Sequence, residues 1–81
     1  MENPGNQVIE LYQQWIENDL KEIRELNKEN KLYQEFRERY QNDWETVEMS
    51  REILFIHARI VKRLKERIDD TNQAIKEFSR I

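Results

Sequence analysis

His57 is the one histidine in the sequence, and it is the first residue to consider for metal or acid–base chemistry. The chain has no cysteine, so a metal at His57 would need carboxylate ligands. The residues one helical turn away are Ile53, Leu54, Ile60 and Val61, none of which carries a ligand atom. We therefore expect His57 to form a polar layer in a helix seam, where it fixes register or responds to pH, with no metal role.

Carboxylates recur at helical spacing in two places, which raises the question of cation binding. They are Glu22, Glu25 and Glu29, and then Glu45, Glu48 and Glu52. Neither series has the glycine turn and the ligand spacing of an EF-hand calcium loop. We interpret both series as solvated helix faces, and we predict no metal and no cofactor.

Nucleophilic catalysis has little support in the sequence. The serines Ser50 and Ser79 lack the sharp Gly-x-Ser-x-Gly turn of a nucleophile elbow. One glycine in the whole chain rules out a glycine-rich phosphate loop. We predict no catalytic residue and expect that the protein is not an enzyme.

A basic cluster in residues 59–67 is the one feature that suggests nucleic-acid binding. Its candidate phosphate contacts are Arg59, Lys62, Arg63 and Arg67. However, Glu66, Asp69 and Asp70 lie among or beside them, and no aromatic residue is interleaved for base stacking. A regulator that contacts nucleic acid is therefore the alternative function, and a solvated charged helix face is the favoured interpretation.

Composition indicates a single small all-α domain spanning 1–81. Of the 81 residues, 37% are apolar and 38% are charged, with one glycine and one proline, as is typical of long exposed helices. Absence of cysteine fits a reducing compartment, so an intracellular, cytoplasmic location is expected. No apolar run approaches the roughly 20 residues that span a bilayer, so no membrane contact is expected.

The periodicity predicts a first helix over about 6–41. Its apolar residues recur at threes and fours, in Ile9, Tyr12, Ile16, Leu20 and Ile23. Leu32 and Phe36 leave this line after the polar residues 27–31. The sequence therefore predicts a kink or a break near 27–31, with the first helix ending at about 27 if it breaks.

A turn is predicted at 42–43, followed by a second helix over about 43–80. Asn42 with Glu45 three residues later has the form of a capping box. One apolar row favours a continuous helix through residues 42–43 in place of this turn, because its seven-residue spacing has no gap there. The row contains Leu26, Tyr33, Tyr40, Val47, Leu54, Val61, Ile68 and Ile75. One helix over about 30–80 is the alternative.

A second row with the same seven-residue spacing is half polar and includes Ser50, His57, Leu64 and Thr71. A simple two-stranded coiled coil with these residues in its core would therefore be weakly stable. The fold class expected is all-α, an elongated antiparallel hairpin with a coiled-coil-like seam that assembles into a helical bundle. Charge favours packing of the two halves of the chain against each other. Residues 1–50 hold 12 acidic and 6 basic side chains, whereas residues 51–81 hold 5 acidic and 8 basic side chains.

The stretch 53–61 is apolar at seven of its nine positions, so a helix there is apolar around nearly its whole circumference. Such a helix must be covered on every side, which one neighbouring helix does not achieve. The predicted interface residues are Trp44, Ile53, Leu54, Phe55, Ile56, His57, Ile60, Val61 and Leu64. We expect an oligomerisation, scaffold or adaptor module whose partner is a copy of itself or another helical protein.

Overall fold

A computed structural model describes residues 4–79 of the chain. Helix α1 spans Pro4–Arg39 and helix α2 spans Trp44–Ser79, each 36 residues long. The two helices lie antiparallel and in contact, which confirms the all-α elongated hairpin predicted from the sequence. The molecule measures 63 × 18 × 12 Å, because helices of this length extend about 54 Å at 1.5 Å per residue.

Helix α1 passes through residues 27–31 without interruption, so the predicted break there is wrong. Asn27 and Asn30 are poor helix formers, but such propensities are small and tertiary contacts override them. Asn30 accepts a hydrogen bond from the seam residue His57, which ties this part of α1 to α2. Helix α1 begins at Pro4, a residue favoured in the first helical turn, two residues before the predicted start.

The chain reverses between the two helices at residues 40–43, so the alternative of one helix over 30–80 is wrong. The backbone N–H of Asp43 donates to the Tyr40 carbonyl at 2.9 Å, and that of Val47 donates to the Asp43 carbonyl at 3.0 Å. Thr46 Oγ1 donates to Asp43 Oδ2 at 2.8 Å. Asp43 therefore occupies the N-cap of α2, one residue after the Asn42 that the sequence pattern favoured.

The face of α2 that meets α1 follows the two predicted seven-residue rows. Ser50, Leu64 and Thr71 are buried and His57 is half-buried, so the half-polar row is the deeper of the two. The apolar row that includes Val61 is half-buried beside it. Thr71 Oγ1 donates to the carbonyl of Arg67 at 2.7 Å, which satisfies this buried hydroxyl within its own helix.

The matching face of α1 differs from the predicted stripe at one position. Leu20 is 42% exposed, whereas its neighbour Asp19 is among the most buried residues of the described chain. Helix α1 packs in a seven-residue repeat, so the seam runs through Ile16, Asp19 and Ile23, and Leu20 falls outside it. The stripe prediction was wrong at Leu20 because it ranked residues by apolarity alone.

The open end of the hairpin is closed by aromatic rings from both helices. The Tyr12 ring lies 5.9 Å from that of Phe78, near the end of α2, and 5.2 Å from that of Trp15. The hairpin is thus held along its length by a narrow seam with an aromatic contact at the end opposite the turn.

Neither helix within residues 4–79 is long and apolar enough to cross a membrane.

Substitution of Leu64 tests the seam. Leu64 is 7% exposed, so Leu64→Ala should lower the free energy of unfolding by about 2–5 kcal/mol, the usual cost of emptying a core site. Leu20→Ala, the same change at an exposed position, should alter it by about 0.5 kcal/mol or less. Urea unfolding at matched protein concentration measures both, and equal losses would contradict the assignment of Leu64 to the core.

Candidate interaction surface

The structure divides the nine predicted interface residues into three groups. Leu54, His57, Val61 and Leu64 face α1 and belong to the seam inside the hairpin. Ile53 and Ile60 are half-buried at the edge of that seam. Trp44, Phe55 and Ile56 are exposed.

Helix α1 therefore covers one side of the stretch 53–61 and leaves another side open. Phe55 is 65% exposed and Ile56 is 52% exposed, although they are adjacent large apolar residues in the middle of α2. Contiguous apolar surface of this kind is typical of a site that contacts another macromolecule. Within the described hairpin, no segment lies over these two side chains.

A groove between the helices near the turn extends this apolar surface. The volume of the groove, which we call the turn-end groove, is about 460 Å³. Its walls are Leu32 and Phe36 from α1 and Met49 and Ile53 from α2, with Glu29, Tyr33, Thr46 and Ser50 completing the lining. The groove is open to solvent, and Leu32, Phe36 and Met49 are all exposed.

Of the residues lining the turn-end groove, the sequence-based interface list contained Ile53 alone. Leu32 and Phe36 depart from the line of the preceding apolar residues, and that departure predicted a kink or a break in the helix. In the structure Asn30 and Tyr33 continue the seam while Leu32 and Phe36 form its outer side. The change in apolar direction marks a second surface on one continuous helix.

On each helix, the residues that line the groove belong to a longer stripe of side chains on the same side of that helix. On α1, one stripe contains Glu22, Glu25, Glu29, Leu32 and Phe36, at intervals of three and four residues. On α2, the corresponding stripe contains Met49, Ile53, Ile56, Ile60 and Arg63. Both stripes border the groove, so they lie on the same side of the hairpin, and we call that side the groove face. Phe55 is not a member of either stripe.

His57 forms the polar layer that the sequence predicted. Its Nδ1 lies 2.7 Å from Asn30 Oδ1, so an Nδ1–H donates to the amide oxygen across the seam. Its Nε2 lies 3.7 Å from a carboxylate oxygen of Glu29, and its ring centre lies 6.0 Å from that of Tyr33. The ring is surrounded by groups from α1, and its side chain is 14% exposed.

Asp19 and Arg67 form a second polar layer, which the sequence-based interface list did not contain. Arg67 Nε donates to Asp19 Oδ2 at 2.9 Å, and Arg67 Nη2 donates to Asp19 Oδ1. The carboxylate is 4% exposed, whereas the arginine side chain is largely in solvent. Extending the seven-residue row backwards from Leu26 reaches Asp19, and this extension is the signal that would have found it.

The hydrogen bonds from Arg67 lower the pKa of Asp19, more than burial of the carboxylate raises it. The same hydrogen bonds raise the pKa of Arg67, and the nearby negative charge of Glu22 adds to that effect. Arg67 is thus engaged inside the hairpin, whereas the other candidate phosphate contacts Arg59, Lys62 and Arg63 are exposed.

Within residues 4–79, histidine and carboxylate side chains form no group of three or more that could hold a metal ion. No family model, curated protein or solved structure matches the chain.

The Asp19–Arg67 pair makes stability depend on pH. Because the pKa of Asp19 is below its ordinary value of 3.8 in the folded chain, the pair stabilises the hairpin above that value. This contribution is lost as the pH falls through the lower, folded-state pKa. In Arg67→Met, burial without a donor raises the pKa of Asp19, so this variant should be less stable than the native chain at neutral pH and approach it at acid pH.

Thermal unfolding at a series of pH values measures this difference. Lys65→Met is the matched control, since it removes an exposed cation from the same helix and leaves Asp19 paired. Parallel curves for the native chain and Arg67→Met over the whole pH range would contradict the assigned role of the pair.

Proposed function

We propose that the protein is a non-enzymatic helical oligomerisation and protein–protein interaction module, of the scaffold or adaptor type. One observation supports this most directly, the number of large apolar side chains that the hairpin leaves exposed on both helices. They are Leu11, Trp15, Leu20, Leu32, Phe36, Tyr40, Trp44, Met49, Phe55, Ile56 and Phe78. Several of these cluster around the turn-end groove and the outer side of α2.

The energetics of the hairpin favour association. Among the described residues, Ile23 and Leu64 are the buried apolar side chains, which is a small core for a chain of 81 residues. Leu32, Phe36, Met49 and Ile56 are each about half exposed, so burying what remains of them would supply about 3–7 kcal/mol before the entropy cost of binding. A partner on this surface would therefore stabilise the fold as well as cover it.

Binding of nucleic acid through Arg59, Lys62 and Arg63 is the weaker candidate. Arg67 is held by Asp19, and the large apolar side chains of Phe55 and Ile56 lie exposed beside the remaining cations. A protein partner makes use of both the apolar side chains and the charges around them, whereas a phosphate backbone would use the charges alone.

Mass in solution tests the proposal. Light scattering over micromolar to millimolar concentrations should give a mass above the 10.1 kDa of one chain. Phe55→Asp and Ile56→Asp, measured separately, place a charge on the exposed apolar surface, and at least one of them should lower the mass while circular dichroism still reports helix.

Asn72→Asp is the matched control, because it adds the same charge at an exposed position of α2 without removing an apolar side chain. A folded native chain that stays monomeric at every concentration, and that binds no apolar dye, would contradict the proposal.

A further inference from the structure

We propose that the groove face is covered by the groove face of a second copy of the chain. In this dimer the two hairpins lie parallel with their turns at the same end, and α1 of each packs on α2 of the other. The inference rests on the proposed function and specifies its partner and orientation. Three observations carry it: where the apolar residues lie along the two stripes, the charges next to them, and the size of the face.

Both stripes are apolar next to the turn, and the α1 stripe becomes apolar again at Trp15 and Leu11 near the open end. Leu32 and Phe36 on α1 line the same groove as Met49 and Ile53 on α2, next to the turn. A two-fold axis parallel to the long axis keeps the turn ends together and exchanges the two helices. It therefore places the α1 residues of each copy over the α2 residues of the other, apolar against apolar.

The charges beyond the groove are complementary under the same operation. On the α1 stripe, Glu22, Glu25 and Glu29 follow the apolar residues away from the turn. The contact of Glu29 with His57, and that of Asp19 with Arg67, show that these carboxylates lie level with residues 57–67 of α2. At that level the exposed α2 residues include Arg59 and Arg63, which line a shallow depression with Ile56 and Ile60. The α1 carboxylates of each copy would thus meet the α2 guanidinium groups of the other.

The opposite orientation is less favourable. A two-fold axis across the hairpin would reverse one copy and stack α2 on α2. Helix α1 would then lie on α1 of the partner, so Glu22, Glu25 and Glu29 would no longer face Arg59 and Arg63. The parallel arrangement keeps this charge complementarity, which favours one orientation of the partners over the other.

The face is large enough for a stable dimer. The broad side of the molecule measures 63 × 18 Å, so a contact along the whole hairpin has room for the roughly 800 Å² that each partner buries in a standard interface. Two hairpins stacked in this way form a four-helix arrangement in which each helix has two antiparallel neighbours.

Substitution in the groove tests the position of the interface. Met49→Asp should raise the dimer dissociation constant about tenfold or more, since about 1.4 kcal/mol of lost binding gives a factor of ten. Leu32→Glu on α1 should do the same and provides a second variant if Met49→Asp fails to fold. Leu20→Asp is the matched control, because Leu20 is an exposed leucine outside the groove face and its substitution should leave the dissociation constant unchanged.

The orientation is tested with a spin label at the turn. The chain has no cysteine, so Asn42→Cys gives one labelling site for a nitroxide, and pulsed electron paramagnetic resonance measures the distance between the two labels of a dimer. Parallel hairpins bring the labels to within about the 18 Å width of the molecule plus the reach of the labels, whereas reversed hairpins separate them by nearly its 63 Å length.

The outcomes separate this inference from the proposed function. A dimer that persists in Met49→Asp and Leu32→Glu but dissociates in Phe55→Asp would overturn the groove interface and leave the proposed function in place. A dimer with labels near 60 Å apart would overturn the parallel orientation alone. A folded monomer at every concentration would overturn this inference, and the proposed function would be contradicted as well if that monomer binds no apolar dye.

Discussion

Two helices packed side by side can cover only one strip of each other, and the rest of this structure depends on that limit. Each helix turns about two of every seven side chains towards the seam, so any further apolar residue has to lie outside it. Helix α2 carries more apolar residues in its middle than one strip can hold. The excess appears on the groove face and, at Phe55, on the outer side of α2.

The same limit explains how much could be predicted from the sequence. The hairpin, its turn and the two seven-residue rows of α2 were accessible, because uninterrupted periodicity over many repeats is a strong signal of helix and seam. The choice of Leu20 over Asp19 and the break at 27–31 were wrong for one shared reason. Both predictions took apolarity as the mark of the seam, whereas the seam of α1 contains Asp19 and Asn30 and leaves Leu20 and Leu32 exposed.

A polar residue in the seam is recognisable only together with its partner on the other helix. Asp19 is tolerated because Arg67, which lies 48 residues further along the chain, reaches its carboxylate with two donors. Asn30 is tolerated because His57 donates to it. Neither pairing follows from local spacing, since it requires the register of α1 against α2, which is known only once the two helices are packed together. The turn-end groove was inaccessible for the same reason, because its walls come from both helices.

These two polar layers also determine what lies outside the seam. A slip of α1 by one seven-residue repeat moves it about 10 Å along α2 and would keep every seam position in a seam position. It would also leave the Asp19 carboxylate buried without Arg67 and Asn30 without His57, which is costly for groups removed from water. The apolar rows alone distinguish such registers weakly, so the polar pairs specify the one in which Leu32 and Phe36 lie beside Met49 and Ile53. The polar pairs thereby align the two halves of the surface that we propose for association.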